Sequence, residues 1–242
     1  MNWTTTPSAA APGLGGQWVT NKSPCARVSA AATSPTQVAL VWENMALTPD
    51  VAITVTVTVD NATAGVLEWR AHVQVVRGNA ASVVLLALSL PVVPGLVFRD
   101  GLDSVLHGQD FGYVATPADP AGLLGSLEPL RGGFMNFGAP VTIWGPDGGS
   151  NTLPLVAHLL NASATGLYMA VHDPAGNLKT VLAARTSATT WGLRAMHMLA
   201  PGAAPGLYVL PSVFHMQAFN GSAWHAAQIY RSWALPNARS QK

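Results

Sequence analysis

The chain has 242 residues, with 12 basic and 11 acidic side chains, a net charge of +1 and a charged fraction of 10%. An ordinary soluble domain carries about 25% charged residues, and no Lys/Arg cluster here could neutralise a run of phosphates, which argues against a nucleic-acid partner. Cys25 is the single cysteine, so an intramolecular disulfide and a Cys-rich metal site are excluded.

Composition predicts neither a membrane span nor a signal peptide. The longest apolar run, VVLLALSLPVVPGLVF at 83–98, contains Pro91 and Pro94 and is shorter than the ~20 residues that cross a bilayer. The N-terminus lacks the basic start and continuous apolar stretch of a signal peptide. Five Asn-x-Ser/Thr sequons still favour a glycoprotein of the secretory pathway, although the localisation stays open. They lie at Asn2, Asn21, Asn61, Asn161 and Asn220.

The order of residue types along the chain predicts a leader, a sandwich, a helix and a tail. Residues 1–34 are rich in Ala, Ser, Thr, Pro and Gly without a sustained period, which predicts a poorly ordered leader. One large β-sandwich is expected over 35–221, because all-β domains of roughly 200–250 residues are common. A helix at 222–236 and a tail at 237–242 complete the chain.

Strands are predicted by apolar residues at every second position. VAITVTVTVD (51–60) and VLEWRAHVQVV (66–76) alternate around the turn NATAG, which predicts an antiparallel hairpin. SVVLLALSL (82–90) is apolar on both faces, as expected of a central strand that the following prolines end. The turn-rich stretch 99–150 is predicted as long loops. Further strands are predicted at 36–45, 152–161, 165–173 and 206–219.

The last segment, SAWHAAQIYRSWAL (222–235), changes from a two-residue to a helical period. Ser222 is a suitable N-cap, and Ala226, Ile229, Tyr230 and Trp233 fall on one face. Pro236 is expected to end the pattern. The sequence therefore predicts a single helix after an all-β body.

No complete catalytic or metal-binding motif is present in the sequence. The seven histidines show no metal-ligand spacing, and neither a nucleophile elbow nor a nucleotide-binding glycine loop occurs. We therefore assign no catalytic residue, no metal and no cofactor. The turn-rich middle offers carboxylates that could serve glycoside chemistry in pairs, which sequence cannot match up. These are Asp103, Asp110, Glu128 and Asp147.

Four residues are candidates for carbohydrate contact. Trp144 and Tyr113 could stack on a sugar ring from loops, and Asp147 follows Trp144 in TIWGPDGGSN. His172 precedes Asp173, so it could act as a base oriented by that carboxylate. Core packing for the aromatic residues, and the end of a strand followed by a turn for His172 and Asp173, are the structural alternatives.

Several phrases together resemble a glycoside-hydrolase-like family. LVWENM, WRAHVQV, LSLPVVPGL, DSVLHGQDFGYV, TGLYMAVHDPAGNLK and SAWHAAQIYRSWAL look like the N-terminal, galactose-mutarotase-like β-supersandwich of that family. The likeness covers about residues 36–236. In the family a TIM barrel follows the sandwich, so the resemblance implies that the catalytic residues lie in a barrel that this chain lacks.

The resemblance therefore implies a non-catalytic sandwich region that supports or flanks a barrel, with the last helix as a connector. The alternatives are a stand-alone carbohydrate-binding module and a sugar mutarotase or epimerase. The expected partners are carbohydrate, and either a (β/α)8 barrel or a second copy of the chain bound through the helix. The helix residues expected at that domain interface are Trp224, Ile229, Tyr230 and Trp233.

Overall fold

The structure is a computed structural model of the chain. The residues that it describes are 25–45, 50–60, 65–77, 87–97, 99, 101–107, 113–115, 134–137, 154–174, 179–185, 190–198 and 200–238.

The described residues form strands and one C-terminal α-helix, which confirms the predicted all-β class. Every strand pair with a described register is antiparallel. The strands are β1 (Cys25–Ser34), β2 (Gln37–Met45), β3 (Val51–Asp60), β4 (Val66–Val75), β5 (Ala87–Val97), β6 (Asp103–His107), β7 (Tyr113–Ala115), β8 (Phe134–Phe137), β9 (Leu155–Leu160), β10 (Thr165–His172), β11 (Lys179–Arg185), β12 (Thr190–Met198), β13 (Ala200–Pro201), β14 (Leu207–Val209) and β15 (Val213–Asn220), and the helix is α1 (Ala223–Ala238).

The chain divides into two compact units, and the first comprises Met1–Val57, Ala71–Leu85 and Ala200–Val209. Its strands follow the order β1, β2, β3 and the second half of β4, and β14 then pairs with β4 and with β13. The predicted hairpin of β3 and β4 is confirmed, since the two strands are neighbours in the sheet.

The strand β1 lies inside the segment 1–34 that was predicted to be a poorly ordered leader. It pairs with β2 over its whole length, with Val28 opposite Trp42. The sequence signal is weak because the strand is built from small residues and its side chains from Arg27 onwards are mostly exposed, so backbone hydrogen bonds rather than apolar burial hold it. Residues 1–24 of the predicted leader lie outside the described residues.

The second unit comprises Thr58–Arg70, Leu86–Leu199 and Leu210–Lys242, and it contains two sheets. One follows the order β4, β15, β10, β9, β6 and β7, and the other follows the order β5, β12, β11 and β8. Side chains from both sheets meet in one apolar cluster, which we call the sandwich core. Its buried members are Val105, Val156, Met169, Val171, Trp191, Leu193, Ala195 and Phe214.

The strand β5 corrects the prediction of a central strand that stops before Pro91. It runs from Ala87 to Val97, through Pro91 and Pro94, and it is the terminal strand of the four-stranded sheet in the described part of the chain. Proline is tolerated at such an edge because it has no N–H for a second neighbour. The pairing with β12 shifts register at the two prolines, between the partners of Trp191 and Leu193 and between those of Arg194 and Met196.

The predicted loops at 99–150 contain the short strands β6, β7 and β8. Residues 99, 101 and 102 of this stretch are described as well, and the rest of it lies outside the described residues. The last predicted strand region, 206–219, is split into β14 and β15, with Pro211 between them.

The helix α1 packs on the outer face of β9, β10 and β15. Ala226 is fully buried, and Ile229 and Tyr230 pack beside it on a second apolar cluster that includes Leu159 and Phe219. Ser222 directly precedes α1, as predicted, and its carbonyl accepts hydrogen bonds from the N–H groups of His225 and Ala226. Its Oγ lies 3.4 Å from the ring Nδ1 of His225. The helix continues past Pro236 to Ala238, two residues beyond the predicted end.

None of the described helical residues forms a helix that is both long and apolar enough to cross a membrane.

Candidate functional site

The outer face of the larger sheet in the second unit carries a cluster of histidine and aromatic rings. Alternation along β10 places Tyr168 and His172 on this face, and β15 adds His215 beside them. The helix α1 contributes Tyr230 and Trp233 from above. We call these five residues the aromatic–histidine cluster.

His172 is at the centre of the aromatic–histidine cluster. Its ring stacks on Trp233 with a centroid distance of 4.4 Å and an interplanar angle of 8°, and on His215 at 4.6 Å and 28°. Its Nε2 lies 3.1 Å from the hydroxyl of Tyr168. Only 7% of His172 is exposed, so α1 and the neighbouring rings close this imidazole off from solvent.

Burial sets the protonation state of this cluster. Desolvation, and next to it the charge of His215, lower the pKa of His172 to about 3. Burial, and next to it the charge of Asp173, raise the pKa of Tyr230 to about 12. Burial also raises the pKa of Tyr168. His172 is therefore neutral at physiological pH and the two hydroxyls keep their protons, so these groups can exchange hydrogen bonds but supply neither an imidazolium nor a phenolate.

A second polar group lies inside the sandwich, around Asp103. The carboxylate, in a residue that is 1% exposed, accepts hydrogen bonds from the Arg99 backbone N–H at 2.9 Å, from Nε at 3.1 Å and from Nη2 at 2.8 Å. His158 Nε2 lies 3.8 Å from Asp103 Oδ2. This bidentate arrangement fixes the residues before β6 to the start of that strand.

The charges around Asp103 have opposing effects on its titration. Burial alone would raise the pKa of Asp103, but the hydrogen bonds and positive charge of Arg99 outweigh burial and hold that pKa below its ordinary value. Burial also lowers the pKa of His158, although Asp103 opposes this change. The carboxylate is therefore a stable anion with its acceptors engaged, which is a structural role.

Replacing Asp103 by asparagine is expected to lower the free energy of unfolding by about 2 kcal/mol, because a buried acceptor of charged hydrogen bonds is lost. Urea unfolding at pH 7 measures this change. The matched control is Glu43→Gln, which breaks the exposed ion pair with Arg27 and is expected to change the free energy of unfolding by less than about 1 kcal/mol. Equal small effects of both substitutions would contradict the structural role of Asp103.

A serine and a histidine also form a hydrogen-bonded pair in the interior. Ser212 Oγ lies 2.9 Å from His197 Nδ1, and His197 Nε2 lies 2.9 Å from the carbonyl oxygen of Leu90. Both side chains are buried, at 3% and 1% exposure respectively. No substrate can reach a hydroxyl in that position, so the pair connects β5, β12 and the segment before β15 rather than forming a nucleophile and base.

The predicted carbohydrate-contact residues differ in position and in whether the structure describes them. His172 is described and is buried beneath α1. Tyr113 lies at the start of β7, but its side chain is outside the described residues, and Trp144 and Asp147 lie outside them altogether. Of the candidate carboxylates, Asp103 is inside the sandwich. Asp110 and Glu128 lie outside the described residues.

The four helix residues expected at a domain interface differ in how far this chain covers them. Ile229 and Tyr230 pack on the sheet of this same chain, and Trp233 stacks on His172. Trp224 is 66% exposed. In this structure, then, three of the four are covered by the chain itself, and Trp224 is the member that leaves an indole ring in solvent.

Tyr168 and His215 are not among the site residues predicted from the sequence. The alternation in GLYMAVH does place Tyr168 and His172 on one face. His215 lies 43 residues after His172, and only the register of β10 with β15 brings Ala170 opposite His215 and so joins the two histidines. That register is not readable from either strand alone.

Metal ligands are not gathered in the described part of the chain. No group of three or more His, Cys, Asp or Glu side chains there could hold a metal ion.

Known structures give a clear answer about the fold. The α-N-acetylgalactosaminidase NagBb of Bifidobacterium bifidum aligns in its GalNAc complex with a TM-score of 0.57 at 13% identity, and in its Gal-NHAc-DNJ complex with a TM-score of 0.59 at 14% identity. Each alignment covers 89% of this chain and 31% of that one. The chain therefore has the all-β sandwich fold of the aligned third of that enzyme. The resemblance inferred from the sequence is confirmed at the level of the fold.

Other solved structures align more weakly. The α-galactosidase AgaB of Geobacillus stearothermophilus gives a TM-score of 0.43 at 11% identity, over 77% of this chain and 24% of that one. No protein-family model and no curated protein matches the sequence. The chain spans about a third of the length of the Bifidobacterium enzyme.

Proposed function

We propose that this β-supersandwich is a non-catalytic region of a carbohydrate-active protein, which supports or flanks a catalytic (β/α)8 barrel. The observation that carries the proposal is the alignment of 89% of this chain with 31% of an α-N-acetylgalactosaminidase. A region of that size within a glycosidase fits an accessory domain, and the functional groups of the site fit the same role.

The state of the titratable groups supports a non-catalytic role. His172 is buried, hydrogen bonded through Nε2 and covered by Trp233, so it is not free to exchange a proton with a substrate. Asp103 is engaged by Arg99. His158 packs against Trp191 in the sandwich interior, on the sheet face opposite to that of His172.

A sugar mutarotase or epimerase is the second candidate, and one observation favours it. His172 and His215 meet on one sheet face, with rings 4.6 Å apart, and Glu68 lies opposite His215 on the neighbouring strand. Two imidazoles and a carboxylate could shuttle a proton if α1 moved aside. The accessory role is the better supported of the two because the helix covers His172.

The partner would be a barrel or a second copy of this chain. Trp224, 66% exposed in the first turn of α1, is the residue through which we expect either partner to dock. Single exposed aromatic residues are common on proteins, whereas an indole on a connector helix supplies a large apolar contact area.

Two of the sequons are accessible to modification. Asn161 and Asn220 are both exposed, at the turn after β9 and at the end of β15. The amide of Asn161 accepts a hydrogen bond from Ser104 Oγ at 3.1 Å. Glycosylation at either asparagine would thus add a glycan at the surface, as the sequence-based expectation of a glycoprotein requires.

The direct test of the accessory role is the hydrolysis of aryl α-N-acetylgalactosaminide and aryl α-galactoside by this chain alone. The expected result is release of the aryl group at the rate seen in buffer, because Asp103 is engaged by Arg99 and His172 is covered by Trp233. Release that is faster than in buffer, and that is lost in the His172→Ala variant, would contradict the proposal.

A further inference from the structure

A half-exposed row of polar side chains lies beside the aromatic–histidine cluster on the same sheet face. Glu68 and Arg70 come from β4, and His215 and Gln217 from β15. We call these four residues the polar shelf. The side chains of Arg70 and Glu68 are 60% and 36% exposed, so the β4 side of the shelf is open to solvent.

The strand register places the four side chains together. His215 pairs with Glu68, while the preceding residue, Phe214, pairs with Trp69. Phe214 and Trp69 both pack in the sandwich core. Since neighbouring residues of a strand point to opposite faces, Glu68, Arg70, His215 and Gln217 all project away from that core. Directly opposite residues have Cβ atoms about 5 Å apart, which brings the carboxylate of Glu68 beside the imidazole of His215.

The shelf is charge-balanced and keeps free hydrogen-bonding capacity. Arg70 Nη2 lies 3.2 Å from Glu68 Oε2, and the exposed fractions of the two side chains are 60% and 36%. His215 Nε2 lies 3.3 Å from Gln217 Oε1. A guanidinium has five donors, a carboxylate about four acceptor positions, and an amide both kinds, so these internal contacts use only part of what the shelf offers.

Aromatic and histidine rings lie next to the polar shelf. His215 stacks on His172, which in turn stacks on Trp233, and Tyr168 meets His215 edge-on at a centroid distance of 5.7 Å. Of these rings, those of His215 and Trp233 are partly exposed, so the surface offers a ligand both polar and apolar contacts.

From this juxtaposition we infer that the polar shelf binds a neutral hexopyranoside, with adjacent sugar hydroxyls bonded by Glu68, Arg70 and Gln217 and the ring near Trp233. The inference rests on the proposed carbohydrate-related function and names a site for it. The carboxylate of Glu68 repels phosphorylated and uronic sugars, and the pairing of Arg70 with that carboxylate leaves no net positive charge to attract them.

The test is calorimetric titration of the full chain with methyl α-N-acetylgalactosaminide and methyl α-galactoside, at up to roughly 50 mM, a concentration that reveals millimolar sites. Binding of at least one glycoside is expected. Glu68→Gln and Gln217→Ala are each expected to raise Kd about tenfold, because the first replaces a charged acceptor by a weaker neutral one and the second removes a hydrogen bond to the sugar. The matched control Glu43→Gln, at an ion pair of similar exposure in the β1–β2 hairpin, should leave Kd unchanged.

Three results would overturn the proposal that the polar shelf binds a sugar. These are the absence of binding by the unaltered chain, binding that neither shelf substitution weakens, and tighter binding of a sugar phosphate than of the neutral glycosides. None of the three affects the proposed accessory role. Conversely, aryl glycoside hydrolysis by the unaltered chain would overturn that role while leaving binding at the shelf intact, so the two failures are distinguishable. Circular dichroism of each variant confirms that its fold is retained.

Discussion

Trp191→Ala is expected to lower the free energy of unfolding by about 3–5 kcal/mol, the usual effect of removing a large buried aromatic side chain. Trp191 is 1% exposed and lies in the sandwich core, where side chains of both sheets of the second unit meet. Its ring also contacts His158 edge-on, with the centroids 5.6 Å apart. Urea unfolding at pH 7, followed by far-ultraviolet circular dichroism, measures the effect.

The control for this substitution is the same change at an exposed position. Trp224 is 66% exposed, so Trp224→Ala is expected to change the free energy of unfolding by no more than about 0.5 kcal/mol. Two equally large losses would show that Trp224 is covered in the isolated chain, and two equally small ones would show that the sheets do not pack through Trp191.

Acidification is expected to lower the free energy of unfolding because the unfolded chain protonates His172 more readily than the folded one. The folded-state pKa of about 3 lies below the ordinary value of about 6.5 for an unfolded histidine, so the unfolded chain binds the proton more readily. The stability that neutral His172 contributes is therefore complete above about pH 6.5 and is lost as the pH falls towards 3. At pH 4 the free energy of unfolding is expected to be lower by about 3 kcal/mol. This follows from about 1.36 kcal/mol for each pH unit between 6.5 and 4.

The groups and elements packed around His172 determine which part of the structure is destabilised at low pH. Tyr168 and Asp173 from the same chain segment, His215 from β15, and Tyr230 from α1 are the titratable groups around it. Of the elements around His172, β10 and β15 are held to each other by ladder hydrogen bonds, whereas α1 is held on the sheet by side-chain packing, so α1 is expected to detach first. Asp103, whose pKa is also depressed, contributes a further loss only below about pH 4.

Comparison with His172→Phe isolates the histidine's contribution. Phenylalanine retains a ring for Trp233 to stack on but cannot take up a proton, so the variant should show a shallower loss of urea stability between pH 6.5 and pH 4. The experiment is a set of urea unfolding curves across that range for both proteins. Parallel curves would mean that His172 titrates normally and is not closed off by α1.

Local patterns in the sequence predict most of the elements of the fold. Two-residue alternation identifies β3, β4 and β10, and the change to helical spacing after Ser222 identifies α1. The strand β1 was missed because small, exposed residues such as those of SAAATS carry no apolar period. The strand β5 was taken as central and as ending before Pro91, because an apolar run says nothing about which side of a strand has a partner.

The site was less predictable than the fold, since it depends on pairing between distant strands. His172 was identified as a candidate from its neighbour Asp173, whereas its contacts are with His215 and Trp233. The helical period correctly grouped Ile229, Tyr230 and Trp233 on one face. It could not indicate that the surface opposite that face would be this chain's own sheet.

The measurement that tests the central claim most directly is the rate of mutarotation of freshly dissolved α-D-galactose in the presence of this chain, followed by proton NMR. Because His172 and His215 meet on one sheet face, this reaction is the most demanding test of a non-catalytic role. The account predicts a rate equal to that in buffer, because His172 is neutral, hydrogen bonded and covered by Trp233. A faster rate that His172→Ala abolishes would contradict the account.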